Sequence, residues 1–487
     1  MHDQQLGATE RLARFVVETG DDALPIAALS AAHTSLIDGF GVALAGVGEP
    51  SAVIARNFVA ECGGALESAI IGTSLRVPAA AAAFANGIAT HAHDFDDTQI
   101  SDSPDRIYGL LTHPTPSALG AAYAAAELSG ASGRRLLAAF AIALETSCRL
   151  CDAISPFHYI RGFHTTGTIA VFGATAAAGR LFGLDVQQMR NAFGIAASMS
   201  AGLRTAFGTM TKPLHAGRAA ENGVVAARLA RAGFDGRDDV FENPRGFFKT
   251  VGASYDAVAP ELVDDPLWGY GRITDEGFDE ARLLDGLGHR FLLVSPGLSI
   301  KPYPSVVLSH PSMDTMLALI TEHDVQPQDV DEIELHGGPS VLNVKYHRPQ
   351  TGTEGKFSVE FCLVCILILR RALLSDFNDD FVRSPQVQDL VARVKPVRDA
   401  EIERAGFSGI SSRIVLRLKD GRCLERASGA YRGSPDNPLD RHGIDAKFVG
   451  CAETLLSAAG AKQALDTLRN IESLANVRDL ASHLTPG

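Results

Sequence analysis

Up to about Gly252 the chain is dense in Ala, Leu, Ile and Gly, and its apolar residues recur at helical spacing. Segments 26–46, 78–91, 116–128, 133–149, 168–181, 186–200 and 216–232 each read as a helix. Thr115-Pro116 supplies an N-cap followed by proline at the first helical position, and Gly183 and Gly233 supply stops. So many small residues predict close helix–helix contacts. The pattern changes near Pro296. Residues 331–336 and 412–418 alternate apolar and polar positions, which predicts strands. Asp420-Gly421 then turns the chain into a partner strand at 422–427. Helices are expected at 312–323 and 359–374, and again at 445–459 and 461–474. The pattern predicts a mainly α protein. A large all-helical domain is built from residues 1–298 plus a returning tail at 437–487, with a smaller α+β domain at 299–436. No internal repeat or low-complexity segment is visible.

The composition narrows this picture. Of 487 residues, 44 are Lys or Arg and 57 Asp or Glu, a formal net charge of −13. An acidic chain is a poor partner for nucleic acid or an anionic membrane surface. No apolar run reaches the ~18 residues of a spanning helix, and the most hydrophobic stretch, 359–369, is shorter and carries Glu360. The N-terminus lacks a basic stretch followed by an apolar core, so a cytoplasmic location is expected. The seven cysteines read as reduced thiols. Two pairs, Cys148/Cys151 and Cys362/Cys365, have zinc-like spacing. They sit in strongly apolar helical segments, so buried packing is the favoured reading.

No dinucleotide or phosphate-loop glycine motif, nucleophile elbow or HExxH motif occurs. Instead, five polar clusters interrupt apolar sequence. His91-Ala-His93-Asp94-Phe95-Asp96-Asp97-Thr98 closes an Ala-rich helix. It reads as a divalent-metal site or as a solvated helix end. Acids at a helix C-terminus face the negative end of the dipole, so something must compensate them. Thr112 to Ser117 places His113 before a helix, where free N–H groups favour anions. His164 opens another helix. Lys212 and His215 fall in Gly208–His215, and Lys301 and Tyr303 in Pro296–Ser305. Lysines in tight apolar turns suit carboxylate binding.

In this order the clusters resemble the MmgE/PrpD family. The segments carrying the resemblance are NGIATHAHDFDDT (86–98), HPTPSALGAAYAAAE (113–127), GFHTTGTIAVFGATAAAGRLFGLD (162–185), FGTMTKPLHAGRAAENGVVAARLARAGFDG (207–236), KPYPSVVLSH (301–310) and KFSVEF (356–361). The resemblance implies a helical domain with an α+β lid, a homodimer, and an enzyme for small di- or tricarboxylates with no cofactor or metal. The family's reactions are epimerisation, dehydration and decarboxylation. Each breaks a bond α to a carboxylate, which needs positioned acids and bases and cations for the developing charge.

Carried over by resemblance, His113 is the leading general acid/base, with Asp94 and His164 beside it. Lys301 is a carboxylate ligand or, if burial lowers its pKa, a proton donor. Thr98, Lys212, His215 and Tyr303 bind substrate. Three departures bear on the reaction. Phe361 stands where the family often has tyrosine. Val306 stands where decarboxylases have histidine. The loop between Thr98 and His113 is long and offers Arg106 and Tyr108 as replacement ligands or plain surface residues. The first two count against decarboxylation, and the segments lean toward the epimerase branch. A dehydratase-like or decarboxylase-like lyase and a non-catalytic carboxylate binder are the alternatives.

Overall fold

In the computed structural model the described residues are 6–99, 112–154, 157–252, 277–342, 344–404 and 410–486. Arg106 and Tyr108 lie outside them. Counting helices of eight residues or more, the elements are α1 (Ala8–Glu18), α2 (Ile26–Gly46), α3 (Pro50–Cys62), α4 (Ala79–His91), α5 (Pro114–Ser129), α6 (Gly133–Ala153), α7 (Ala170–Phe182), α8 (Val186–Ser198), α9 (Thr211–Arg231), α10 (His310–Glu322), α11 (Val359–Leu369), α12 (Pro385–Arg393), α13 (Arg441–Ala452) and α14 (Ala458–Arg469). Four strands, β1 (Val330–Gly337), β2 (Val394–Arg398), β3 (Ser412–Leu418) and β4 (Cys423–Ala427), form one sheet in the order β2-β1-β3-β4. β1 and β2 are parallel, and the other two pairings are antiparallel. The protein is mainly α, as the spacing predicts.

Two apolar clusters divide the molecule. One gathers residues from α1 to Ile300 and then from α13 to the C-terminal turns. The other holds residues 303–431 together with Tyr159. In the first, α9 packs against α4, α5, α7 and α8. The approach is close because small residues line it: a Cβ on Gly87 of α4 would stand 2.9 Å from the Cα of Gly217 of α9. In the second, α10 covers β3 and β4 and also packs on α11.

Some expectations need correction. α5 begins at Pro114, not at residue 116, so His113 rather than Thr115 is its N-cap residue. α9 begins at Thr211, five residues early, so Lys212 lies in a first helical turn and not in a loop. α2 is long and apolar enough to cross a membrane by length and composition, which the sequence reading granted to no helix. Here its second half is buried against α4, α6 and α13. The helix at 359–374 stops at Leu369, where Arg370 turns left-handed. Both cysteine pairs are free and buried within α6 and α11, as the packing reading expects.

Candidate active site

The site grows from the end of α4. Beyond His91 the chain turns sharply at Asp94, whose backbone is left-handed (φ 53°), a conformation aspartate tolerates better than most residues. Three buried acids follow in four positions, and each finds its own compensation. Asp94 Oδ1 accepts from Lys212 Nζ at 2.7 Å and from Lys301 Nζ at 3.1 Å, while Lys301 also donates to the Asp94 carbonyl at 2.6 Å. Asp96 accepts from His91 Nδ1 at 2.9 Å, and its Oδ2 lies 2.8 Å from His113 Nδ1, which bonds to the Asp97 carbonyl at 3.0 Å. Asp97 accepts from the Thr115 amide (3.2 Å) and hydroxyl (2.7 Å) in the first turn of α5. Asp97 therefore faces the positive end of α5, while Asp94 and Asp96 are met by side-chain partners.

This wiring fixes the imidazoles. A carboxylate or a carbonyl only accepts, so His91, facing Asp96, and His113, facing the Asp97 carbonyl, both carry their proton on Nδ1 and leave Nε2 as a free base. His113 Nε2 lies 3.6 Å from Asp94 Oδ1, beside the two ammonium groups. The rings of His91 and His113 stand 4.6 Å apart. Behind them, His164 and His215 share one hydrogen bond between their Nδ1 atoms at 2.9 Å, and Phe207 packs edge-on against His164.

Burial controls the protonation states. It lowers the pKa of His113, against the pull of Asp96, and it drives His91 and His215 to about 4. His164 falls well below its ordinary value, first by burial and then through Lys212. These histidines are neutral near pH 7. For Asp94, burial alone would raise the pKa, but Lys212 and Lys301 outweigh it and hold the group ionised. Each ammonium has three N–H groups. Among the described residues, Lys212 spends one of them on Asp94 and Lys301 spends two on the Asp94 residue. The remainder can receive a substrate carboxylate within reach of His113.

The MmgE/PrpD N-terminal domain matches residues 10–258, and the MmgE/PrpD C-terminal domain matches residues 303–473. The chain belongs to the MmgE/PrpD family. Its relatives include the cis-aconitate decarboxylase of Homo sapiens, 26% identical over 419 residues, which covers 84% of this chain and 80% of the relative. The Mus musculus enzyme of the same name is 27% identical over 410 residues, 82% of this chain and 77% of the relative. That of Aspergillus terreus is 24% identical over 509 residues, 97% of this chain and 95% of the relative.

Of the residues that the MmgE/PrpD resemblance singled out, the structure brings Asp94, His113, His164, Lys212, His215 and Lys301 into one buried group. It does not bring in two hydroxyls. Thr98 is buried, but its hydroxyl donates to the Thr112 carbonyl at 3.0 Å, and its backbone bridges to Ser299. The Tyr303 hydroxyl donates to Asp314 at 2.7 Å and accepts from Arg432 at 3.2 Å. Phe361 is fully buried between Phe377 and Phe381. Val306 donates its amide to the Lys356 carbonyl. Asp96 as the orienting acid and Lys356 as a site cation escape the sequence reading. For Lys356 the missed signal is the one that flagged Lys212, a lysine among apolar neighbours.

Ligand atoms of His91, Asp94, Asp96 and His113 lie within 4.8 Å of one another, a donor set that would suit a divalent cation. Asp94 already carries two ammonium charges, and Asp96 lies against two N–H groups. A cation there would sit against Lys212 and Lys301, so the set fits an ion poorly.

Proposed function

We propose that this protein is an acid/base enzyme for a small di- or tricarboxylate, removing or delivering a proton at the carbon α to a carboxylate. The observation that carries this reading is the buried group formed by Asp94, Lys212, Lys301 and His113, with His113 Nε2 left basic by the bond of Nδ1 to the Asp97 carbonyl beside the Asp96 carboxylate. In this reading Lys212 and Lys301 hold the substrate carboxylate next to Asp94. Their charge stabilises the enolate-like state as the C–H bond breaks. The electron pair stays on the carboxylate-stabilised carbon, and the proton goes to His113 Nε2. A proton delivered from Lys301 Nζ to the opposite face gives epimerisation; for dehydration the carbanion pair forms the C=C bond while the β-oxygen leaves with the C–O pair, takes the proton from His113 Nε2 and departs as water.

The relatives' names favour a second reading, decarboxylation of a tricarboxylate. There the C–CO₂⁻ bond breaks and CO₂ leaves, and Lys301 Nζ would protonate the carbon that keeps the electron pair. Val306 in place of a histidine supports the first reading. Proton NMR in D₂O with 2-methylcitrate, citrate, cis-aconitate and iminodisuccinate separates them. Deuterium entering the α position without loss of water or CO₂ is the expected sign of an epimerase, and a new vinyl signal marks a lyase. Silence with every acid, despite a raised melting temperature, would leave only a carboxylate binder. Since the reading uses no metal, a chelator such as EDTA should leave turnover unchanged; loss of activity restored by a divalent cation would revive the metal reading.

A further inference from the structure

A third lysine lies in the same interior, outside the pairings described so far. Lys356 follows Gly355 and opens the KFSVEF segment. It is 8% exposed. Among the described residues its Nζ bonds to His93 Nδ1 at 2.9 Å and has no carboxylate in salt-bridge contact. A buried ammonium without a counter-ion is costly, and proteins rarely bury one without a partner.

Its surroundings are arranged to keep it there. His93 Nε2 lies 3.2 Å from the Ala45 carbonyl, which fixes its proton on Nε2 and turns the Nδ1 lone pair to Lys356. His93 is held neutral, with a pKa of about 3, by burial and then by Lys356 itself. The imidazole thus accepts one N–H from the ammonium and neutralises none of its charge. Two further N–H groups remain. The lysine's place is beside the reaction group: Asp94, Lys301 and Lys212 are near enough to act on its charge, as is Glu49 at the start of α3. The next residue, Phe357, has its ring centre 5.6 Å from Lys212 Nζ. Burial brings the Lys356 pKa down to about 8, so it is mostly charged at neutral pH.

We propose that Lys356, aimed by neutral His93, is the receptor for a substrate carboxylate remote from the reacting carbon, and that it makes the site prefer tricarboxylates to dicarboxylates. The proposal rests on the carboxylate-enzyme reading above. It assigns Lys212 and Lys301 to the carboxylate at the reacting carbon and Lys356 to the far end.

Calorimetric titration with two unreactive acids tests it. Tricarballylate carries three carboxylates, and 2-methylsuccinate is the same carbon chain with one terminal carboxylate removed. The wild-type protein should bind tricarballylate at least ~10-fold more tightly, the scale of one charge-assisted hydrogen bond. Lys356→Met should weaken tricarballylate by about 10- to 100-fold and 2-methylsuccinate by less than about threefold, while Lys356→Arg recovers part of the loss. Equal losses for both acids, or none, would overturn the proposal and leave the functional reading standing. So would equal wild-type affinities, which settle the matter even if Lys356→Met fails to fold. If the wild type binds neither acid, the functional reading and this inference fall together.

Discussion

At His113 the chemistry turns on which ring nitrogen is free. Nδ1 donates its proton to the Asp97 carbonyl beside the Asp96 carboxylate, so the unprotonated Nε2 lies 3.6 Å from the lysine-held Asp94 Oδ1. His113→Ala should therefore cost at least ~10²-fold in kcat, the scale of a lost general acid/base. Near-normal turnover would remove His113 from the role. The pH profile carries a sign. A histidine whose pKa is depressed by burial is neutral at pH 7 and loses its base form only as pH falls through that lowered value. kcat/KM should stay flat through neutrality and decline on the acid side. Asp96→Asn removes the charge that holds the value up, so the acid limb should move to still lower pH while kcat also falls. An unmoved limb would deny that Asp96 tunes His113. The sequence shows Asp94, His113, Lys212 and Lys301 as candidates because polar side chains inside apolar runs must be satisfied somewhere. It does not show that the hydroxyls of Thr98 and Tyr303 are used by Thr112, Asp314 and Arg432, since those partners are set by tertiary packing.

The helices follow the 3.6-residue spacing closely; their ends do not. α9 starts at Thr211 because Pro213 falls in its first turn, where a missing N–H costs nothing. β2 is invisible in the pattern: Val394 is its buried residue, and it carries Lys395, Pro396 and Arg398. Proline is tolerated there because β2 lies at the sheet edge. The Ala and Gly density does predict close packing, and it can be tested where α2 meets α4. A Cβ on Gly46 would run into the Ala89 carbonyl, so Gly46→Ala should destabilise the protein by about 1–3 kcal/mol in urea unfolding. An unchanged midpoint would mean that the two helices can separate freely. The tail helix α13 returns to α2 through Lys447, whose Nζ lies 2.6 Å from buried Asp38. Lys447→Met should cost about 3–5 kcal/mol by stranding that carboxylate, and adding Asp38→Asn should recover much of the loss. A double variant no better than the single one would show that the pair is not energetically coupled.

At the scale of the whole molecule, the reacting group draws on segments that are far apart in sequence: the end of α4, the start of α5, the first turn of α9, and Lys301. The change of period near Pro296 is what leads the sequence to be read as a helical body and an α+β part. The convergence is not readable in this way, because nothing local links Asp94 to a lysine 207 positions on. Such a site links ligand binding to the stability of the assembled protein. A carboxylate ligand at 100 times its Kd should stabilise the native state by about 2.7 kcal/mol, read as a rise in Tm. A ligand that binds by calorimetry without moving Tm would have to bind the unfolded chain equally well.

Lys447 also donates to the Phe95 carbonyl, one residue past Asp94, across 352 positions of sequence. On the ribosome, the loop bearing the acids is made early and waits for this anchor through most of the remaining synthesis. A nascent chain arrested before residue 447 can form α4, α5 and α9, yet the turn at Asp94 lacks its last support. The turn at Asp94 should therefore gain its full support only after residue 447 has been made.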